Sequence, residues 1–139
     1  MQKIFNVRTE EDMDSVSLFI KEIKKVNQIV LLTGELGSGK TALVRRFAKM
    51  HGIESVMSPT FNLLHIYSND KIRISHADLY RIDSFQHIRE LNLEEIIEQS
   101  DITFIEWAEK GKDIFNSYPA IKIIIEFDKD CRRVEVVWQ

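Results

Sequence analysis

Residues 29–50 read IVLLTGELGSGKTALVRRFAKM, and the fold is decided by how this stretch is read. Ile29 to Leu32 is an unbroken run of β-branched and leucine residues, the pattern of a strand buried on both faces. It stops at Thr33-Gly34. From Lys40 to Met50, Leu43, Val44, Phe47 and Ala48 recur on one side of a helix, and Gly52 follows as its stop. Between strand and helix, Gly34-Glu35-Leu36-Gly37-Ser38-Gly39-Lys40-Thr41 fits G-x-x-x-x-G-K-[ST]. Each residue type has its own reason. Glycines at 34, 37 and 39 let the backbone turn tightly and aim N–H groups inward, with no side chain in the way of a phosphate. The N-terminus of the following helix adds positive potential at the same spot. Lys40 can reach β- and γ-phosphates, and the Thr41 hydroxyl can ligate Mg²⁺. The plain alternative is a glycine turn that binds nothing.

Working outward, the next informative strand is Ile102-Thr103-Phe104-Ile105, which ends in Glu106. Phosphate loops of this kind take a second acid from the end of a neighbouring parallel strand, to hold Mg²⁺ directly or through water. Glu106 is the only such junction after the loop; read plainly, it is a surface glutamate. Trp107 beside it covers a nucleotide or a partner, or fills core. His76 and Asp78 lie two apart at a strand end and so point to the same side. A carboxylate there can orient water or accept its proton, or cap a turn. His-x-Asp as a transition-metal pair lacks a third ligand at convincing spacing, and the histidines at 51, 65 and 87 form no ligand pattern. Arg45, Arg46 and Arg81 steer phosphate or nucleic acid, or are solvated charges.

The remaining elements alternate in type, which points to α/β. Lys3 to Val7 reads as a strand. Thr9 reads as an N-cap, with Glu10, Glu11 and Asp12 in the first turn, followed by Val16, Phe19, Ile20 and Ile23 at helical spacing. Phe61 to Tyr67 and Lys71 to Ala77 read as strands about an Asn69-Asp70 turn, residues 84–99 as mostly helical, and 108–115 as a short helix. Ile121 to Phe127 and Arg133 to Trp138 read as a closing hairpin across Asp128-Lys129-Asp130.

Composition bounds the function. The 139 residues carry 19 Lys+Arg and 22 Asp+Glu, a net charge of −3, which disfavours wrapping a phosphate backbone unaided. Residues 83–113 are the acidic part, a solvated helix surface or a docking face for a basic protein. The single cysteine, Cys131, excludes an intramolecular disulfide and fits a reducing cytoplasm. It lies in a turn with no visible partner base, so it is read as incidental. No apolar run approaches the ~20 residues of a membrane span, and Met1 to Glu10 has no signal-peptide character. The expectation is one cytoplasmic domain over residues 1–139, with no membrane segment.

Three further motifs follow in order with the glycine-rich loop: Ser58-Pro59-Thr60-Phe61, His76-Ala77-Asp78-Leu79-Tyr80-Arg81, and Ile105-Glu106-Trp107-Ala108-Glu109-Lys110-Gly111. Together they resemble the TsaE (YjeE) family, P-loop ATPases of tRNA threonylcarbamoyladenosine synthesis, over about Thr9 to Trp138. The resemblance implies a P-loop NTPase-like three-layer fold, a small mixed sheet with helices on both faces. It implies ATP and Mg²⁺ binding, weak hydrolysis alone, and work in a complex with TsaD and TsaB family proteins, which carry out the transfer to adenosine 37. The tRNA would be met indirectly, through the complex. Carried onto this sequence, it makes Gly34, Glu35, Leu36, Gly37, Ser38, Gly39, Lys40, Thr41 and Ala42 cofactor-binding, with Gly37 to Thr41 cradling the phosphates and Mg²⁺ on Thr41 and Glu106. Thr60 sits where a switch would sense the γ-phosphate. Lys40, Asp78 and Glu106 form the catalytic set, with Asp78 positioning or polarising the attacking water. Trp107 is a functionally sensitive position, and Thr9 and Arg132 flank the base and sugar.

Two other functions fit the loop. A small-molecule kinase would need an acceptor pocket and an arginine-bearing lid, and no such lid stands out. A nucleotide-sensing protein would bind without useful hydrolysis. No guanine-reading N-K-x-D motif occurs, which leans toward ATP.

Overall fold

The computed structural model describes residues 1–56, 63–82 and 85–139. Seven strands form one mixed sheet. They are β1 (Gln2–Val7), β2 (Gln28–Gly34), β3 (Leu64–Ser68), β4 (Arg73–Asp78), β5 (Ile102–Glu106), β6 (Ala120–Asp128) and β7 (Cys131–Val137). Their order is β1-β7-β6-β2-β5-β4-β3. The four central strands, β6, β2, β5 and β4, run parallel. Both flanks are antiparallel, β3 on β4 at one edge and the β6–β7–β1 ladder at the other.

The apolar run of β2 is buried on both faces, as its composition requires, and its alternate residues feed two cores. Val30 and Leu32 join Phe104 and Ile123 under α1 (Met13–Ile23) and α2 (Lys40–Met50). Ile29 joins Ile105 and Ala77 on the opposite face, under α3 (Phe85–Glu90), α4 (Leu93–Gln99) and α5 (Lys112–Phe115). The expected three-layer arrangement with helices on both faces is therefore present. Phe47 of α2 meets Phe104 edge-on at 5.3 Å between ring centroids. Fully burying side chains of this size stabilises the fold by about 1.5–3 kcal/mol each.

Several local expectations shift. Thr9 caps a single 3₁₀ turn, Glu10–Asp12, in a reciprocal capping box with Asp12, and α1 begins only at Met13. The 84–99 stretch is two helices, because Asn92 adopts a left-handed backbone (φ 55°) between α3 and α4. Residues 108–115 divide into a 3₁₀ turn, Ala108–Gly111, and α5. The closing hairpin is tighter than three residues: Asp128 pairs with Cys131 across Lys129-Asp130, with Lys129 left-handed (φ 57°). Cys131 thus opens β7, and its Sγ donates to the Asp128 carbonyl. The strand expected from Phe61 begins, within the described residues, at Leu64. No helix among the described residues is long and apolar enough to cross a membrane.

Candidate functional site

The C-terminal ends of β2, β4 and β5 and the start of α2 converge on one place, where ligands of open α/β sheets bind. The loop from β2 to α2 turns at Glu35, whose carbonyl accepts from the Ser38 N–H at 3.0 Å. Gly34 is required by packing: a Cβ there would lie 2.5 Å from Ser38 Oγ and 2.9 Å from the Ile125 carbonyl. Gly39 caps α2 with φ 116°, a left-handed conformation that side chains resist. The first N–H groups of α2 are thereby left pointing out of the helix, where an anion is favoured.

Lys40, the first residue of α2, is buried. Its Nζ donates to the Gly34 carbonyl at 2.7 Å, lies 3.8 Å from Glu106 Oε1 and sits 4.8 Å from the centre of the Trp107 ring. In register, Asp78 of β4 stands beside Glu106 of β5, and Glu106 beside Leu32 of β2. Leu32 faces α2, so both carboxylates do too. Burial, with the nearby Glu106 charge, holds the Asp78 carboxyl above its ordinary range, against the Tyr80 N–H that bonds Oδ1 at 2.9 Å. Glu106 Oε2 meets His76 Nε2 at 2.6 Å. Trp107 has a left-handed backbone (φ 59°), which is strained for a bulky residue. The strain turns its indole over Lys40 and against Tyr80, 4.8 Å between ring centroids.

Lys40, Asp78, Tyr80, Glu106 and Trp107 line a cleft of about 530 Å³. Of the residues expected from sequence, Thr9, Leu36, Gly37, Gly39, Lys40, Thr41, Ala42, Asp78, Glu106, Trp107 and Arg132 all border it. Arg132 reaches from β7 to the Gly37 carbonyl at 3.3 Å. Gly34 and Glu35 border a second cavity of about 560 Å³, which shares Lys40 and Trp107 with the first. Ser38 lies buried within the loop, its hydroxyl without a partner among the described residues. Thr60, with the whole Ser58–Phe61 motif, lies outside the described residues.

Sequence reasoning named Arg45 as a steering or solvated charge but missed the part of the cleft wall around it, formed by Val7, Glu10 and Met13. Glu10 pairs with Arg45, and Arg46 forks onto Asp14 at 2.7 and 2.8 Å, which lowers the Asp14 carboxyl and raises the guanidinium. Arg46 is therefore a tie between α1 and α2. The acids in the first turn were the available signal, but the partners lie more than thirty residues away. No group of three or more His, Cys, Asp or Glu able to hold a metal occurs among the described residues. What the site offers a cation is a pair of adjacent buried carboxylates beside a threonine and a lysine. Such a donor set fits Mg²⁺ shared with a polyphosphate, which carries the remaining ligands itself.

A family model described as "Threonylcarbamoyl adenosine biosynthesis protein TsaE" matches residues 7–134. Among curated relatives, the tRNA threonylcarbamoyladenosine biosynthesis protein TsaE of Rickettsia bellii is 38% identical over 96% of this chain and 91% of its own length. That of Rickettsia prowazekii is 42% identical over 82% and 78%, and that of Nostoc sp. 34% over 98% and 85%. A solved structure described as "Crystal structure of Bacillus subtilus YdiB" superposes with a TM-score of 0.75, covering 99% of this chain and 86% of that one at 21% identity. It supports the P-loop-like α/β fold.

Proposed function

The chain belongs to the TsaE family, and from that premise we propose that it is the Mg²⁺-dependent ATPase subunit of a cytoplasmic assembly that makes threonylcarbamoyladenosine in tRNA. Its partners would be TsaD and TsaB family proteins, which would hold the tRNA. The observation that carries the reading is the meeting of Lys40, Glu106 and Asp78 at the head of α2.

Loop N–H groups and the α2 N-terminus hold the β- and γ-phosphates. Lys40 exchanges the Gly34 carbonyl for a phosphate oxygen, a stronger, charge-assisted bond. Thr41 and Glu106 would hold Mg²⁺, which when bound would neutralise phosphate charge. Asp78 orients the attacking water and accepts its proton; an acid raised above its ordinary range is the better base for that step. Thr60 senses the γ-phosphate. Trp107 covers the lysine, and Thr9 and Arg132 border the base and sugar.

Phosphate release from Mg-ATP tests this, measured for the chain alone and with the TsaD–TsaB pair, without any metabolite acceptor, and with Lys40→Ala as control. Slow release, stimulated by the pair and absent in the variant, is the expected result. Release that the pair leaves unchanged refutes the partner-dependent reading.

One observation favours a second reading, a small-molecule kinase. The cavity of about 560 Å³ touching Lys40 has room for an acceptor. ADP formation that appears only when a metabolite is added would select it.

A further inference from the structure

His76 sits mid-strand in β4, fully buried, opposite Phe104 of β5 and on the face turned to α2. Its Nδ1 has no hydrogen-bond partner among the described residues. Its Nε2 has one, Glu106 Oε2 at 2.6 Å. A carboxylate only accepts, so the hydrogen in this contact is on Nε2. A leucine would fill such a site without leaving a buried nitrogen unsatisfied. The polar ring in this place is therefore explained by the one bond it makes.

The bond has a consequence at the other carboxylate oxygen. Glu106 Oε1 stands 3.8 Å from Lys40 Nζ, outside hydrogen-bond range, while the lysine bonds the Gly34 carbonyl. Two opposite charges this close and this buried attract strongly. Something must keep Glu106 from closing on the lysine, and His76 holds it by its other oxygen. We infer that His76 is a positioning residue. Its Nε2–H anchors Glu106 Oε2, which keeps Oε1 turned toward the cleft and leaves Lys40 free to exchange partners. This rests on the reading of Glu106 as the acid that holds the cation. It adds that the acid's orientation, and so its affinity for the cation, is set by a buried imidazole thirty residues away in sequence.

The test compares His76→Leu, which preserves bulk and removes the donor, with His76→Gln, whose amide nitrogen falls near the position of Nε2. Glu106→Gln is the control. A fluorescent ATP analogue reports binding to the pure chain as Mg²⁺ is titrated, and thermal melting reports folding. In His76→Leu the half-saturating Mg²⁺ concentration should rise about 10- to 100-fold. Its melting temperature should change little, since the leucine removes the unpaired Nδ1 while Glu106 loses a donor. His76→Gln should recover most of the Mg²⁺ response. If His76→Leu does not fold, His76→Asn replaces it, since the shorter amide mimics Nδ1 and falls short of Glu106. A wild-type Mg²⁺ midpoint in the donor-less variant overturns the inference, provided Glu106→Gln moves it. So does an equal shift in the donor-less and Gln variants, which would make His76 a packing residue. If Glu106→Gln itself leaves the titration unchanged, the assignment of Glu106 fails instead.

Discussion

At one end of the cleft Lys40, Asp78 and Glu106 are only 5–6% exposed and His76 is fully buried. At the other end the side chains of Arg45 and Glu10 are 40% and 42% exposed. Both ends carry charge, but in different media. The buried end holds two carboxylates and a lysine where water screens little, so the charges interact strongly with one another. The exposed end holds a surface ion pair beside a capped turn, where water and salt take most of the interaction away. A protein that keeps costly polar groups buried has a use for them there. On the proposed function the chemistry belongs at the head of α2, and the Thr9–Met13 side contributes shape and fit.

The largest expected effect is at Lys40. Lys40→Ala should weaken ATP binding by roughly 10- to 100-fold, the value of a charge-assisted bond to phosphate, and abolish hydrolysis. Calorimetric titration with ATP checks it. Unchanged affinity would break the comparison, because the buried end would then not be the phosphate end.

Asp78→Asn comes next and sharpens the contrast with a sign. Turnover should fall on the order of 10²- to 10⁴-fold through loss of the base. Stability should move the other way. Burial raises the Asp78 carboxyl in the folded chain above the 3.8 of an ordinary aspartate. The folded state therefore binds the proton more tightly than the unfolded state, and this group subtracts stability as pH rises through that window. The asparagine, which keeps an acceptor for the Tyr80 N–H, should raise Tm at pH 7 by about 2 °C. The gain should vanish once pH drops below the ordinary aspartate range. A variant that loses turnover and Tm together at pH 7 would make Asp78 a structural cap.

The buried end was legible in the sequence because its signals are local. Strand, loop and helix are contiguous over residues 29–50, and Glu106 follows directly on its apolar strand. Their convergence needed only the rule that ligands bind at the carboxyl ends of parallel strands. The His76–Glu106 bond was not legible, because it depends on the register of β4 against β5. Nor was the Glu10–Arg45 pair, which depends on how the Glu10–Asp12 turn sits against α2. Asn92 divides the stretch read as mostly helical over 84–99, and its left-handed backbone is a local choice that asparagine permits without announcing. Chain closure, with β1 on β7 at the sheet edge, is likewise a long-range choice that alternation alone leaves open.

The smallest expected effect is at Arg45, and its smallness is the point. The guanidinium borders the cleft and pairs with Glu10, so proximity alone would make it an anchor for the nucleotide. Exposure argues otherwise. An ion pair this solvated contributes at most about 1 kcal/mol net of the cost of ordering two long side chains. Arg45→Ala should leave Tm within about 1 °C of the parent and change ATP affinity by less than about threefold. Even that difference should fade in 0.5 M salt, where the screening length is about 4 Å. The Lys40→Ala loss, set in a buried site, should persist there. Affinity measured for both variants at low and high salt gives four values that settle the contrast. A large, salt-resistant loss in Arg45→Ala would show that the exposed end closes over the nucleotide when it binds and becomes as dry as the other.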